Sequence, residues 1–212
     1  MPVIMLQPLC MNLLREKELF SKGFQNICGV DEAGRGALAG PIVSGAVILQ
    51  LADDELLEKL NDSKQLTAEK REMLFPEIIA KARSWAIGVS ANTEIDRHGI
   101  SFSNKISMIR AVNFLSVKAD YVLCDHVAKM QFDKPFELIA KGDATVASIA
   151  AASILAKVFR DRMMDSFARK FPEYAFEVHK GYGTAEHMAK INVHGACEIH
   201  RHSYQPLWPK LF

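Results

Sequence analysis

The chain has no C-x-x-C pair, no G-x-x-x-x-G-K-[ST] phosphate loop and no apolar run near the ~20 residues that cross a bilayer. Its four cysteines, Cys10, Cys28, Cys124 and Cys197, lie far apart. That spacing argues against a zinc ribbon and a dithiol redox motif and fits free thiols in a reducing cytosol. The longest uncharged stretch, residues 37–52, is broken by Gly40, Pro41 and Gly45 and reads as buried strand. The first charges, Arg15 to Glu18, follow the apolar N-terminus instead of preceding it, which is the wrong order for a secretory signal. A cytoplasmic chain without a membrane span is expected. Excess charge is also missing: 26 basic residues face 25 acidic ones, a net charge of +1. A nucleic-acid partner must therefore be argued from where charges sit, not from their sum.

What is present suits one self-sufficient core, with 212 residues and no repeat or low-complexity tract. Residues 1–22 read as an N-terminal extension, 23–170 as the main domain and 171–212 as a helical C-terminal part with a tail. Ile27 to Asp31 and Ile42 to Leu49 are apolar runs separated by a glycine-rich turn, the pattern of an antiparallel hairpin. Trp85, Ile87 and Val89 alternate as in a third strand. Tyr121 to Cys124 and Phe136 to Ala140 are two more. Helices are expected over 53–60 and 68–83, the second with Thr67 as N-cap and a kink or a restart at Pro76, then along Phe102, Ile106, Ile109 and Val112. A long helix should run from about Ala144 to Lys170, stopped before Pro172. Three antiparallel-type strands followed by helix–strand alternation give a mixed α/β sheet flanked by helices.

Four carboxylates, Asp31, Glu32, Asp125 and Asp143, fall at the ends of these strands or just beyond, where open α/β sheets gather their ligand sites. Clustered carboxylates repel, and a hard divalent ion with oxygen ligands is their natural partner. Two such ions ~4 Å apart can serve phosphodiester hydrolysis. No His or Cys spacing favours zinc over magnesium or manganese. Adjacent strand residues face opposite sides, so Asp31 and Glu32 share one centre only if the strand ends or bulges between them. Taken singly, Asp31 also fits a turn acceptor, Asp143 a helix N-cap and Asp125 a solvated strand end. On the long helix, a stripe from Asp143 passes near Ala147, Ala150, Ser153, Lys157 and Arg160, leaving Ile149, Ala152, Leu155, Phe159 and Met163 as the buried side. Gly34-Arg35-Gly36 lets backbone N–H groups approach a ligand closely, and Tyr182 stands between two glycines.

Five blocks, GVDEAGRGALAGPIVSGAVIL from Gly29, DSKQLTAEKRE from Asp62, KGDATVASIAAASILAKVFRDR from Lys141, HKGYGT from His179 and HRHSYQP from His200, together resemble the ribonuclease HII family. The resemblance runs from about Ile27 to Pro206. It implies a ribonuclease H-like core with a small helical C-terminal part and two-metal endonucleolysis, with Mg²⁺ or Mn²⁺, leaving 5′-phosphate ends. The implied substrates are RNA–DNA hybrids and DNA duplexes with embedded ribonucleotides. By motif position Asp31, Glu32, Asp125 and Asp143 would bind metal, Gly34, Arg35, Gly36 and Tyr182 would read the ribonucleotide, and Lys64, Lys157 and Arg160 would contact phosphates. His126 stands where the family often has glycine, and Tyr204 where phenylalanine is common. A DNA resolvase or phosphatase on the same sheet, or a binding module without chemistry, are the rival readings. The closing Leu211-Phe212 resembles peptides that dock in sliding-clamp pockets, with packing on its own domain as the alternative. A monomer is expected.

Overall fold

The protein's computed structural model describes residues 13–50, 54–61 and 67–204. Lys64 and the tail from Gln205 lie outside the described residues, as do residues 1–12. A helix, α1 (Leu14–Ser21), leads into strands β1 (Ile27–Ala33) and β2 (Ile42–Ile48). Helices α2 (Asp54–Asn61) and α3 (Ala68–Lys81) precede β3 (Ser84–Ser90). Then come α4 (Asn92–His98), α5 (Ile100–Phe114), β4 (Tyr121–Asp125) and β5 (Phe136–Ile139). A 3₁₀ turn at Gly142–Ala144 opens into α6 (Ala147–Lys170), and a second at Pro172–Tyr174 leads to α7 (Phe176–His179) and α8 (Ala185–His194).

The sheet order is β3-β2-β1-β4-β5. β1, β2 and β3 pair antiparallel, whereas β4 and β5 add parallel to β1. This is the mixed sheet that the strand pattern predicts. β1 and β2 are buried on both faces, which explains why they read as continuous apolar runs. One face carries α6: Ala147, Ala150, Ala151, Ile154 and Leu155 pack with Val47, Leu56, Leu74 and Ile78. The other carries α5, whose Met108, Ala111 and Val112 join Cys28, Val30, Ala46 and Val122.

Small residues set the depth of this packing. A Cβ on Gly29 of β1 would lie 2.1 Å from the backbone carbon of Ser148, so only glycine lets α6 settle there. On α5 the buried stripe is Ser103, Asn104, Ser107, Met108, Ala111 and Val112, one position off the expected one, and Phe102 is exposed. The shift has a local cause: the Ser107 and Ser44 hydroxyls meet at 2.6 Å between helix and sheet. Thr67 caps α3 as expected, accepting from the Lys70 amide. The helix continues through Pro76 with no restart, because Leu74, Phe75 and Ile78 are held in the core around it. Among the described residues no helix is long and apolar enough to cross a membrane.

Candidate active site

Asp31 and Glu32 lie inside β1, not past its end. The β1–β2 register runs unbroken from Gly29–Val47 to Ala33–Val43, so the strand neither stops nor bulges between them. Their side chains consequently leave opposite faces, so the end or bulge on which a centre shared by both would depend is not found within the strand. Asp31, level with Gly45, points toward α6 and Ser153; Glu32, level with Ser44, points toward α5 and Asn104. Asp125 ends β4, on the strand paired parallel with β1, and its Oδ1 accepts the Gly142 amide at 2.8 Å. Asp143 sits in the 3₁₀ turn that starts there. The four carboxylates are thus set by three neighbouring elements at one end of the sheet.

Burial dominates their electrostatics. The Asp31 carboxyl is pushed well above the usual carboxylate range, first by burial and then by the charges of Glu32 and Asp125, with the Ser153 hydroxyl partly offsetting them. Burial also raises Glu32, and Asp125 adds to it, while the Arg35 charge opposes the shift. Glu32 Oε2 is buried with no hydrogen-bond partner, and so are both polar atoms of the neighbouring Asn104. Among the described residues, no three His, Cys, Asp or Glu side chains are gathered closely enough to hold an ion as they stand. The donor set itself, oxygen only with one buried atom unpartnered, fits a hard divalent cation.

Above the carboxylates lies a cavity of about 450 Å³. Its walls bring together Glu32, the Gly34-Arg35-Gly36 turn, Asp143, Lys157 and Tyr182, residues from four distant segments of the chain. Ala150, Ser153, Ile154 and Lys157 line it from α6, so the expected stripe holds along the helix from Ala150 to Lys157, although the helix begins at Ala147 and not at Ala144. Lys157 Nζ lies 5.4 Å from the centre of the Tyr182 ring and 2.8 Å from Asp161. Arg71 of α3, which no sequence pattern singled out, lines the same space.

A ribonuclease HII family model matches residues 28–207. The chain belongs to the ribonuclease HII family. A ribonuclease HII of an Acidovorax species is 51% identical over 181 residues, covering 85% of this chain and 86% of that one. The fold is also that of ribonuclease H2 from Pyrococcus horikoshii, with a TM-score of 0.74 at 26% identity over 86% of this chain and 95% of that one. The Archaeoglobus fulgidus ribonuclease HII, solved in complex with PCNA, gives 0.69 at 21% identity over 85% and 96% of the two chains. The enzyme is therefore a ribonuclease H hydrolase, of a family that degrades RNA in RNA–DNA hybrids.

Within this ribonuclease HII fold, Arg160 does not stand where a phosphate could reach it. Its side chain is fully buried and donates to the carbonyls of Pro41, Ala39 and Lys180 at 3.0, 3.1 and 3.0 Å. One turn beyond Lys157, α6 passes under the C-terminal part, so the side chain that would continue the basic stripe is turned inward. Gly34 is shaped by it: φ is +94° and a Cβ would lie 2.0 Å from Arg160 Nε. The expected buried side of the helix holds at Ile149, Ala152 and Leu155 but not beyond, because Phe159 and Met163 border a second, shallow pocket, whereas Met164 and Ala168 are buried.

Sequence reading missed Arg201. Also fully buried, it donates to the carbonyls of Gly34, Arg35, Gly40 and Pro41 at 2.7 to 3.2 Å. Burial lowers its pKa to about 10, which leaves it charged at neutral pH. Arg201 therefore holds the glycine turn from behind by the Gly34 and Arg35 carbonyls, while Arg160 packs against Gly34 and ties the Ala39–Pro41 segment that follows to Lys180. The Tyr182 loop is tied to the same frame, since the Gly181 carbonyl accepts from the Leu38 and Ala39 amides and His187 Nδ1 meets the Tyr182 carbonyl at 2.9 Å. A buried His187–His200 contact of 3.1 Å lies beneath it. The only sequence trace of this frame was the pair of motifs at His179 and His200, which did not reveal what they brace.

Proposed function

We propose that this enzyme cuts the RNA strand of RNA–DNA hybrids and incises DNA duplexes at embedded ribonucleotides, leaving 5′-phosphate ends. The observation that carries the reading is one cavity lined by the Gly34-Arg35-Gly36 turn, the Tyr182 ring and two of the carboxylates, Glu32 and Asp143. Two Mg²⁺ or Mn²⁺ ions held by Asp31, Glu32, Asp125 and Asp143 would supply Lewis-acid activation of water and charge neutralisation at the leaving oxygen. The chain's own residues do the selecting. With its carbonyls held by Arg201, the Gly34-Arg35-Gly36 turn is rigid enough to present backbone groups to a 2′-hydroxyl, the group that marks RNA within a duplex. Tyr182, flanked by the Arg160 and Lys157 cations, offers a ring against the following sugar, which packs best when that sugar lacks a hydroxyl. Lys157 and Arg35 contact phosphates, holding the duplex without reading it.

The test is a DNA duplex with a single ribonucleotide, incubated with Mg²⁺, Mn²⁺ or chelator and mapped at nucleotide resolution, beside an all-DNA branched substrate. Cutting next to the ribonucleotide, only with metal, is expected, and cutting of the branched DNA instead would favour the resolvase reading. Tyr182→Ala should reduce cutting at the single ribonucleotide by roughly tenfold or more, while sparing long hybrids. Equal losses on both substrates would remove the junction-reading role from Tyr182.

A further inference from the structure

Helix α1 is not an appendage to the catalytic domain. Leu19 is packed with Ile27, Leu123, Val146 and Ile149, and Glu16, a charged residue, is 1% exposed. Glu16 Oε1 accepts both the Ser148 amide, at 3.0 Å, and the Ser148 hydroxyl, at 2.8 Å. Ser148 is in the first turn of α6, whose N-cap position is occupied by Val146, a residue with no side chain that can cap. The carboxylate of α1 thus supplies from another helix the acceptor that α6 lacks in its own sequence, at the end where the helix dipole favours negative charge. The preceding residue, Arg15, donates through Nε to Glu137 of β5 at 2.7 Å.

These two contacts bracket one stretch of chain. Glu137 lies on the strand that enters it and Ser148 on the helix that leaves it, and Asp143 lies between. Inside the bracket β5 is paired to β4 up to Ile139, Lys141 takes a left-handed φ of +56°, and short turns follow with bonds from Ala144 to Lys141 and from Thr145 and Val146 to Gly142. The Gly142 amide is bound by Asp125, so a shift of the turn moves two carboxylates together. We propose that Arg15 and Glu16 form a clamp on the segment 137–148 that sets where Asp143 stands relative to Asp31 and Asp125. Both are positioning residues. The inference rests on the reading of Asp143 as part of the metal centre.

The experiment compares Glu16→Ala, Glu16→Gln, Arg15→Gln and Asp143→Asn in the full chain. Cleavage of a hybrid, hydrogen exchange of the metal-free proteins and Mn²⁺ binding by calorimetry are all measured below the melting temperature of each variant. Glu16→Ala should lower kcat on the order of 10- to 100-fold with KM unchanged, because a misplacement of about 1 Å at a reacting group costs that much. Its amides from Gly142 to Ser148 should exchange faster and its Mn²⁺ affinity should fall. Glu16→Gln keeps an oxygen acceptor for Ser148 and should recover most of the kcat, which a mere need for a charge would not allow. Arg15→Gln should move all three readouts in the same direction by less. Unchanged kcat, exchange and Mn²⁺ affinity in folded Glu16→Ala, with Asp143→Asn inactive, would overturn the clamp while leaving the metal reading intact. Full cleavage by Asp143→Asn would instead overturn that reading, and the clamp's purpose with it.

Discussion

At the scale of single residues, the centre of the site is a carboxylate kept where water cannot solvate it. Asp31 is 7% exposed and faces α6, with Glu32 and Asp125 adding their charges to the cost of ionising it. A divalent ion would offset these charges, and Asp31→Asn takes one anionic ligand from it. Cleavage should fall on the order of 10³-fold in the presence of Mg²⁺. The same variant should melt higher than the wild type without metal, because an amide in that position is neither repelled nor costly to desolvate as a charge. A folded Asp31→Asn protein with substantial metal-dependent activity would sink the assignment, and a lower metal-free Tm would sink the account of its burial.

At the scale of elements, what could be read from sequence was whatever depends on neighbours along the chain. The strand at Trp85, Ile87 and Val89, the apolar runs of β1 and β2, and the Thr67 cap are local and stand in the structure, although in β3 it is Ser84, Ala86, Gly88 and Ser90 that are buried, with Trp85 exposed. The glycine turn and Tyr182 were legible as residues, since their backbone freedom is a property of sequence. Arg160, Arg201 and Glu16 were not, because a charge on an apparently solvated face is indistinguishable from a buried one until its partners arrive from 119, 167 and 132 positions away. Such a brace has a measurable consequence. Arg201→Met keeps the bulk of the side chain but takes a charged donor from four carbonyls, of which Pro41 retains Arg160, Arg35 the Tyr204 hydroxyl and Gly34 the Ala37 amide, and it should cost roughly 2–5 kcal/mol. The loosened turn should also lose discrimination between a ribonucleotide and a deoxynucleotide before it loses affinity for duplex, as binding curves and cut maps on paired substrates would show. Lost affinity with intact discrimination would mean that Arg201 supports a phosphate contact instead.

For the whole molecule, stability and the carboxylate centre are coupled through protons. Asp31 and Glu32 have folded pKa values above their unfolded ones, so between those values the folded state binds more protons than the unfolded chain. Stability from these groups is therefore greatest below the ordinary carboxylate pKa of about 4 and declines as pH rises toward the folded values. Other groups act in the opposite direction: Glu94, paired with Arg110, is held down at about 2, and its contribution is lost only on acidification through that value. The centre's own share is isolated by comparing melts with and without a divalent ion, because a cation favours the ionised carboxylates and leaves Glu94 alone. Saturation at about 100 times Kd should add ~2.7 kcal/mol, a rise of roughly 5–10 °C for a chain of this size. Binding must expel the protons that burial retains, so the gain with Mn²⁺ over chelator should grow as pH is raised from about 5 to 8, and Asp31→Asn should flatten that growth. A gain that is the same at every pH would mean that the ion binds away from these carboxylates, and the centre would have to be sought elsewhere on the fold.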